Sequence, residues 1–213
     1  MVVMPNERVP IARLLKFLEH GEQLAHDCAR AQAGLATDPR ERKFLLTQAR
    51  QEAYHALVFQ GAIAWLAPRH LGECPLLSPL ERYRCLLEEA ILHGRFAETL
   101  MAEQIVLEGL GEAILARIEW GLAKRQAPFG RLRRVLLQQE EAHHAFGARA
   151  LERERAAGHT TYEELRHRAG EYLVLTHEMV TTLTDLFEDI DEDPALYAAN
   201  AKSFLPEWLN GIG

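Results

Sequence analysis

Two short motifs pair a glutamate with a histidine three residues later, Glu52-x-x-His55 and Glu141-x-x-His144. Each motif lies in a stretch whose apolar residues recur at helical spacing, and residues i and i+3 share one face of a helix. A carboxylate and an imidazole on an apolar face are costly to bury unless a partner compensates them. A bound metal ion is such a partner, so the two motifs predict metal binding.

Two further stretches each place one glutamate in an apolar helical stripe, Glu22 in the first helix and Glu108 in a later one. Two helices with one glutamate and two with Glu-x-x-His form the ligand set of carboxylate-bridged two-metal bundles. Four carboxylates balance two divalent ions, and each metal gains one nitrogen. The other interpretation is a set of surface glutamates and core histidines paired as salt bridges. The predicted metal ligands and catalytic residues are Glu22, Glu52, His55, Glu108, Glu141 and His144.

The elements that would position these ligands are long helices, and no convincing strand is present. Asp38-Pro39 and Ser78-Pro79 are helix-start signals, and Thr161 with Glu164 forms a capping box. We expect one all-α domain over residues 1–190, followed by a tail, 191–213, that packs on the bundle. The predicted helices are Glu7–Ala36, Pro39–Leu66, Ser78–Leu92, Arg95–Lys124, Pro128–Ala157 and Thr161–Ile190.

The amino-acid composition and net charge argue against several classes of protein. The chain has 213 residues, 48% hydrophobic and 26% charged, which is typical of a globular domain. It contains no apolar run of about 18 residues, so we expect no transmembrane helix, and no secretory signal is evident. The net charge of −7 argues against nucleic-acid binding. The cysteines, Cys28, Cys74 and Cys85, lack metal-like spacing and suggest reduced thiols in a cytoplasmic protein.

The motif set resembles the ferritin-like di-iron carboxylate superfamily, and within it most resembles aldehyde-deformylating oxygenases, ribonucleotide reductase small subunits and related ligand-binding oxidases. This resemblance implies a ferritin-like four-helix bundle with additional helices. It also implies two iron ions (Fe/Fe, or Mn/Fe), activation of O2, and an apolar fatty-acid-like or aldehyde-like substrate. An electron donor such as a ferredoxin or reductase, and a homodimer, would suit this family. The matching segments are Gly21-Glu22-Gln23, Glu52-Ala53-Tyr54-His55, Leu107-Glu108-Gly109 and Glu140-Glu141-Ala142-His143-His144.

The resemblance also suggests residues that surround the ligands. In the family an acidic residue usually precedes the ligand glutamate and holds a histidine of the opposite helix, which assigns this role to Glu140. Gln51 takes the corresponding position before Glu52. Glu112 is read as an extra ligand, a proton shuttle or a surface residue, and His26 as an extra ligand, an outer partner or a solvated side chain.

Three functions remain open at this point. An O2-dependent oxidase or oxygenase is the main expectation. A peroxide-reducing or ferroxidase protein would need no organic pocket, and a metal-binding bundle without turnover is the non-enzymatic alternative. A radical-storing reductase subunit is disfavoured because Phe59 stands where a radical-forming tyrosine would be expected.

Overall fold

The computed structural model describes residues 5–67, 77–124, 130–182, 193, 195 and 205–209. These residues form helices and connecting turns, with no strand among them. Short 3-10 turns lie at Pro5–Glu7 and Glu207–Leu209. The α-helices are α1 (Arg8–Leu35), α2 (Pro39–Leu66), α3 (Leu77–Leu92), α4 (Phe96–Leu100), α5 (Glu108–Lys124), α6 (Gly130–Ala156) and α7 (Tyr162–Thr182).

The predicted helix starts are confirmed where the structure describes them. The side chain of Asp38 accepts a hydrogen bond of 2.8 Å from the backbone N–H of Arg40, and Pro39 opens α2. At the start of α7, Glu164 accepts from the backbone N–H of Thr161 at 2.9 Å, and Thr161 Oγ1 accepts from the N–H of Glu164 at 3.2 Å. Such reciprocal bonds satisfy N–H groups that have no partner within the helix.

The helices pack as a bundle around one main hydrophobic core. Helices α1 and α2 contact each other along their lengths, α6 packs on α5 and on the segment before it, and α3 packs on α7. Gly94 allows the turn between α3 and α4, because its φ of 66° lies in the left-handed region that favours glycine. Among the described residues, no helix combines the length and apolarity that crossing a membrane requires.

One segment departs from α-helical geometry. Residues Met101–Leu107, between α4 and α5, form a π-helix in which every residue is buried. The backbone N–H of Glu108 bonds to the carbonyl of Glu103, five residues earlier. The sequence predicts one regular helix here, because a periodicity of 3.6 does not reveal a single wider turn. Such π-turns are frequent at functional sites.

Residues 207–209 of the tail contact α7. The ring of Trp208 stacks on that of Tyr162, with centroids 4.9 Å apart, and Leu209 is buried. The predicted end of the last helix, 183–190, lies outside the described residues, as does most of the segment 191–204.

Candidate metal centre

Four helical segments bring acidic and imidazole side chains together inside the bundle. Helix α1 contributes Glu22, α2 contributes Glu52 and His55, and Glu108 stands where the π-helix joins α5. All four side chains are buried, and Glu52 and His55 are fully so. The sequence places these four residues on inner stripes of their helices, and the structure brings them together. Helix α6 completes the cluster with Glu140 and His143, also buried.

His55 faces three carboxylates with a single nitrogen. Its Nδ1 lies 3.3 Å from Oε2 of Glu22, 3.1 Å from Oε2 of Glu52 and 2.9 Å from Oε1 of Glu140. Only the contact with Glu22 has the geometry of a hydrogen bond. An imidazole nitrogen carries at most one proton, so it cannot satisfy three oxygens at once. A cation among the four atoms would satisfy all of them.

His143 repeats this arrangement on the other side of the cluster. Its Nδ1 lies 2.9 Å from Oε1 of Glu52, 3.6 Å from Oε1 of Glu108 and 3.8 Å from Oε2 of Glu140. Within the described part of the chain, neither this nitrogen nor either oxygen of Glu52 makes a hydrogen bond. Buried polar atoms without a partner are rare in folded proteins and call for an explanation such as an ion.

These contacts define two overlapping four-residue groups that could each hold a metal ion. Ligand atoms within each group lie within 4.8 Å of one another. Glu52 and Glu140 belong to both groups, as carboxylates that bridge two ions would. One group adds Glu22 and His55, the other Glu108 and His143. The donor set of carboxylate oxygens and one imidazole nitrogen per group suits iron, manganese or zinc.

The buried carboxyl and imidazole groups of the cluster shift one another's pKa values. Burial, followed by the negative charge of Glu140, raises the pKa of both Glu22 and Glu108 well above the usual range. Burial by itself would lower the pKa of His143, but the carboxylates of Glu140 and Glu52 outweigh it and raise the pKa to about 10. The pKa of His55 is raised by the carboxylates around it, against the effect of burial. The buried carboxylates thus oppose one another's negative charge, and the two histidines offset part of it.

The second ring nitrogen of each histidine, Nε2, contacts a glutamine of the opposite helix. Nε2 of His55 lies 2.7 Å from Oε1 of Gln139, and Nε2 of His143 lies 2.9 Å from Oε1 of Gln51. Gln51 thus stands where the sequence suggests an outer partner. Gln139, which immediately precedes Glu140, is its equivalent in α6 and was not expected.

A network of buried glutamine side chains is hydrogen-bonded to the cluster at Glu108. Gln48 donates to Oε1 of Glu108 at 2.8 Å, and Gln104 donates to Oε1 of Gln48 at 3.5 Å. Gln104 and Gln32 exchange two hydrogen bonds, of 2.6 and 3.0 Å. All three glutamines are fully buried. The network fixes one oxygen of Glu108 and links the cluster to α1.

In the structure, α6 is rotated by one residue relative to the sequence prediction. Glu140 and His143 face the cluster, and the predicted ligands Glu141 and His144 do not. Glu141 is exposed, and His144 points away from the cluster, with its Nδ1 3.4 Å from Oε2 of Glu112. Glu140, expected as an outer partner, is instead at the centre of both groups. The physical reason is that both Glu-x-x-His pairs satisfy the i, i+3 rule, and only packing selects between them. Glu112 therefore lies beside His144 rather than in either group.

His26 is also outside the cluster. Its Nδ1 lies 2.6 Å from the backbone carbonyl of Ala49, a contact that ties α1 to α2. This places His26 in a structural position between two helices that carry proposed ligands, and not among the ligands themselves.

Glu103 is a buried carboxylate that the sequence reasoning missed. It lies in the π-helix, it has no exposed surface, and neither oxygen makes a hydrogen bond within the described residues. A periodicity of 3.6 places Glu103 and Glu108 on different faces, so no stripe in the sequence links them. The signal that could have suggested it is an acidic residue between two short apolar stretches, 100–102 and 105–107.

A small cavity opens onto the cluster between α1, α3 and α5. Its volume is about 40 Å³, room for a few water-sized groups. Its lining combines carboxylates with apolar side chains, among them Phe17, Leu18 and Leu80. The carboxylates are Glu22, Glu103, Glu108 and Glu140.

Comparison with solved structures places the fold. The chain superposes on a Synechococcus protein with aldehyde deformylating oxidase activity with a TM-score of 0.82, covering 100% of this chain and 94% of that one. The two sequences are 20% identical, so the likeness concerns the fold, which is the ferritin-like helical bundle. No protein-family model matches the sequence, and the search among curated proteins finds no match.

Proposed function

We propose that this chain is an O2-dependent oxidoreductase with two iron ions, or one manganese and one iron, that oxidises a small apolar molecule. The observation that carries the proposal is the pair of imidazole nitrogens, His55 Nδ1 and His143 Nδ1, each facing three carboxylate oxygens in two groups that share Glu52 and Glu140. Two such groups support positions for two cations rather than one. The proposed ligands are Glu22, Glu52, His55, Glu108, Glu140 and His143.

The residues fit such a metal pair. Four carboxylates balance two divalent ions, and the unsatisfied buried atoms of Glu52, Glu140 and His143 would gain partners. Six protein side chains shared by two ions leave open coordination positions for small molecules. Bound iron would supply the electrons that reduce dioxygen, which is the chemistry that amino-acid side chains lack.

The protein's own side chains would then orient the ligands and keep water away. Gln139 and Gln51 accept from Nε2 of the two histidines, so Nδ1 of each ring faces the centre and would bind a metal after losing its proton. Phe17, Leu18 and Leu80 form an apolar wall beside the carboxylates. This wall favours an apolar substrate and limits the access of bulk water to an oxidising site.

The substrate class we propose is a fatty aldehyde or fatty acid. Two observations support it: the apolar lining of the cavity, and the aldehyde deformylating oxidase activity of the structural neighbour. At about 40 Å³ the cavity admits only a small group, so a longer chain would have to displace side chains. An electron donor is needed for turnover with an aldehyde or acid.

The test loads metal-free protein with ferrous iron under anaerobic conditions, then mixes it with oxygenated buffer. Medium-chain and long-chain aldehydes and fatty acids are added in parallel, with a chemical reductant, and products are identified by mass spectrometry. We expect two irons per chain, consumption of O2 and a product that depends on the added molecule. His55→Ala should abolish all three, whereas the exposed Glu141→Gln should retain them.

Other outcomes would overturn the proposal. Catalytic consumption of hydrogen peroxide, without any organic product, would favour a peroxide-reducing protein. Rapid oxidation of excess ferrous iron would favour a ferroxidase. A chain that binds two metals and leaves both O2 and peroxide unchanged would be a metal-binding bundle.

A further inference from the structure

The π-helix changes which residues share a face. In a regular α-helix, residues five apart are rotated by about 140° from one another, on different sides of the helix. In the observed π-turn, the N–H of Glu108 bonds to the carbonyl of Glu103, so these two residues lie one turn apart along the helix. The wider turn thus brings Glu103 to the side of the helix on which Glu108 meets the cluster.

Glu103 is a buried carboxylate at this position. Its side chain is fully buried, and within the described residues neither Oε1 nor Oε2 makes a hydrogen bond. It lines the same cavity as Glu22, Glu108 and Glu140. A buried carboxylate without a partner is strongly unfavourable, and it becomes tolerable in two ways: it keeps a proton, or it binds a cation.

We propose that Glu103 is a fifth carboxylate ligand of the two-metal centre, supplied by the π-helix to the ion held by Glu108 and His143. This inference rests on the metal pair of the proposed function. Glu103 is not part of either four-residue group, so a bound cation would draw its side chain inward across the cavity that it already lines. The π-turn places the backbone of Glu103 one turn from Glu108, so rotation of its side chain would carry the carboxylate towards that ion.

The charge balance explains what a fifth carboxylate would do. Four carboxylates neutralise two divalent ions but leave two trivalent ions with a net charge of +2. A fifth ligand reduces that excess to +1 and therefore favours the more oxidised pair.

The experiment uses the full chain, freed of metal, and cobalt(II) as the probe. Cobalt(II) absorbs visible light with an intensity and wavelength that report its ligand number. Wild type, Glu103→Gln and Glu112→Gln are titrated in parallel, with circular dichroism to confirm folding. Glutamine has the shape of a protonated glutamate, so the variant at position 103 should fold. Glu112 is a matched control, because it is a buried carboxylate in the same continuous helix that lies outside the cluster.

We expect wild type and Glu112→Gln to bind two cobalt ions with the same spectrum. Glu103→Gln should bind one of the two at least about tenfold more weakly, the lower end of what the loss of a supporting side chain costs a metal site. Its spectrum should also change towards lower ligand number. With iron, the reduction potential of the pair should rise in Glu103→Gln, because a negative charge is lost.

Glu103→Asp provides a second variant, which retains the charge but shortens the reach. It should weaken cobalt binding as well, because the carboxylate no longer spans the cavity. If Glu103→Gln binds both ions with wild-type affinity and spectrum, Glu103 is a protonated core residue and the inference is overturned. If wild type itself binds no cobalt, iron or manganese, the proposed function fails, which is a different result.

Discussion

His55 and Gln139 are joined across the interior of the bundle by a contact of 2.7 Å between Nε2 of the histidine and Oε1 of the glutamine. The amide oxygen accepts, so Nε2 donates the proton of this bond, and Nδ1 is the nitrogen that could release its proton to bind a metal. His143 and Gln51 make the same contact, at 2.9 Å, in the opposite direction between α2 and α6. The two helices thus orient each other's histidines, and both Nδ1 atoms face the carboxylates.

Removing one of these glutamine contacts should weaken metal binding without removing a ligand. In Gln139→Leu the imidazole of His55 loses the group that fixes its orientation and tautomer, and metal affinity should fall by about 10-fold to 100-fold. Competition with a chromophoric chelator measures this change. Gln138→Leu, at the exposed position next to it, is the control and should bind as wild type does. Equal affinity for the two variants would mean that Gln139 does not support the site.

The orientation of α6 predicts opposite results for two adjacent histidines. His143→Ala should lose one of the two bound metals, because His143 supplies the nitrogen of one four-residue group. His144→Ala should retain both, because its imidazole contacts Glu112 away from the cluster. Metal content after loading with iron, measured by elemental analysis, separates the two cases. The reverse pattern would show that the helix is rotated by one residue.

Cys28 should be unreactive in the folded protein. Burial, with a smaller effect from the charge of Glu103, raises the pKa of its thiol well above the usual range, and the thiolate is the reactive form. Iodoacetamide at pH 8, followed by peptide mass spectrometry, should modify the exposed Cys85 and leave Cys28 intact. In guanidinium chloride both should react. Modification of the two at similar rates in native buffer would contradict the observed packing around α1.

The sequence predicts the helices well because their signals are local. Apolar residues at helical spacing and the caps at Asp38 and Thr161 depend only on near neighbours, and the helix boundaries match within one or two residues where the structure describes both ends. The proposed ligands Glu22, Glu52, His55 and Glu108 follow from the same periodicity, since each interrupts an apolar stripe.

The rotation of α6 could not be obtained in this way. The line through Glu140 and His143 also passes through Gly147, which looks like a weak point in an apolar stripe. In the structure Gly147 is buried because the π-helix packs directly against it, at Gln104. The sequence alone does not show that this glycine permits close approach of two helices, because the partner helix is not known from the sequence. The π-turn cannot be predicted from the sequence either, because it depends on how the neighbouring helices pack.

This close approach supports the last prediction. A Cβ added at Gly147 would lie 2.3 Å from Cβ of Gln104 and 3.4 Å from its Cα. Both atoms are at or next to the backbone, so the clash cannot be relieved by moving the end of a flexible side chain. Gly147→Ala must push α6 away from the π-helix, and overpacking of this kind costs about 1–3 kcal/mol.

Alanine's higher helix propensity, worth up to about 1 kcal/mol, opposes this cost but does not cancel it. We therefore expect the melting temperature of Gly147→Ala to fall, by about 2–4 °C for each kcal/mol lost in a chain of this size. Gly34→Ala in α1, where an added Cβ meets nothing within 4 Å, is the control and should melt at the same temperature or higher. Metal affinity should fall in Gly147→Ala as well, because Gln104 anchors the amide chain that reaches Glu108 through Gln48. Two variants with equal melting temperatures would show that α6 and the π-helix are not in contact at this position.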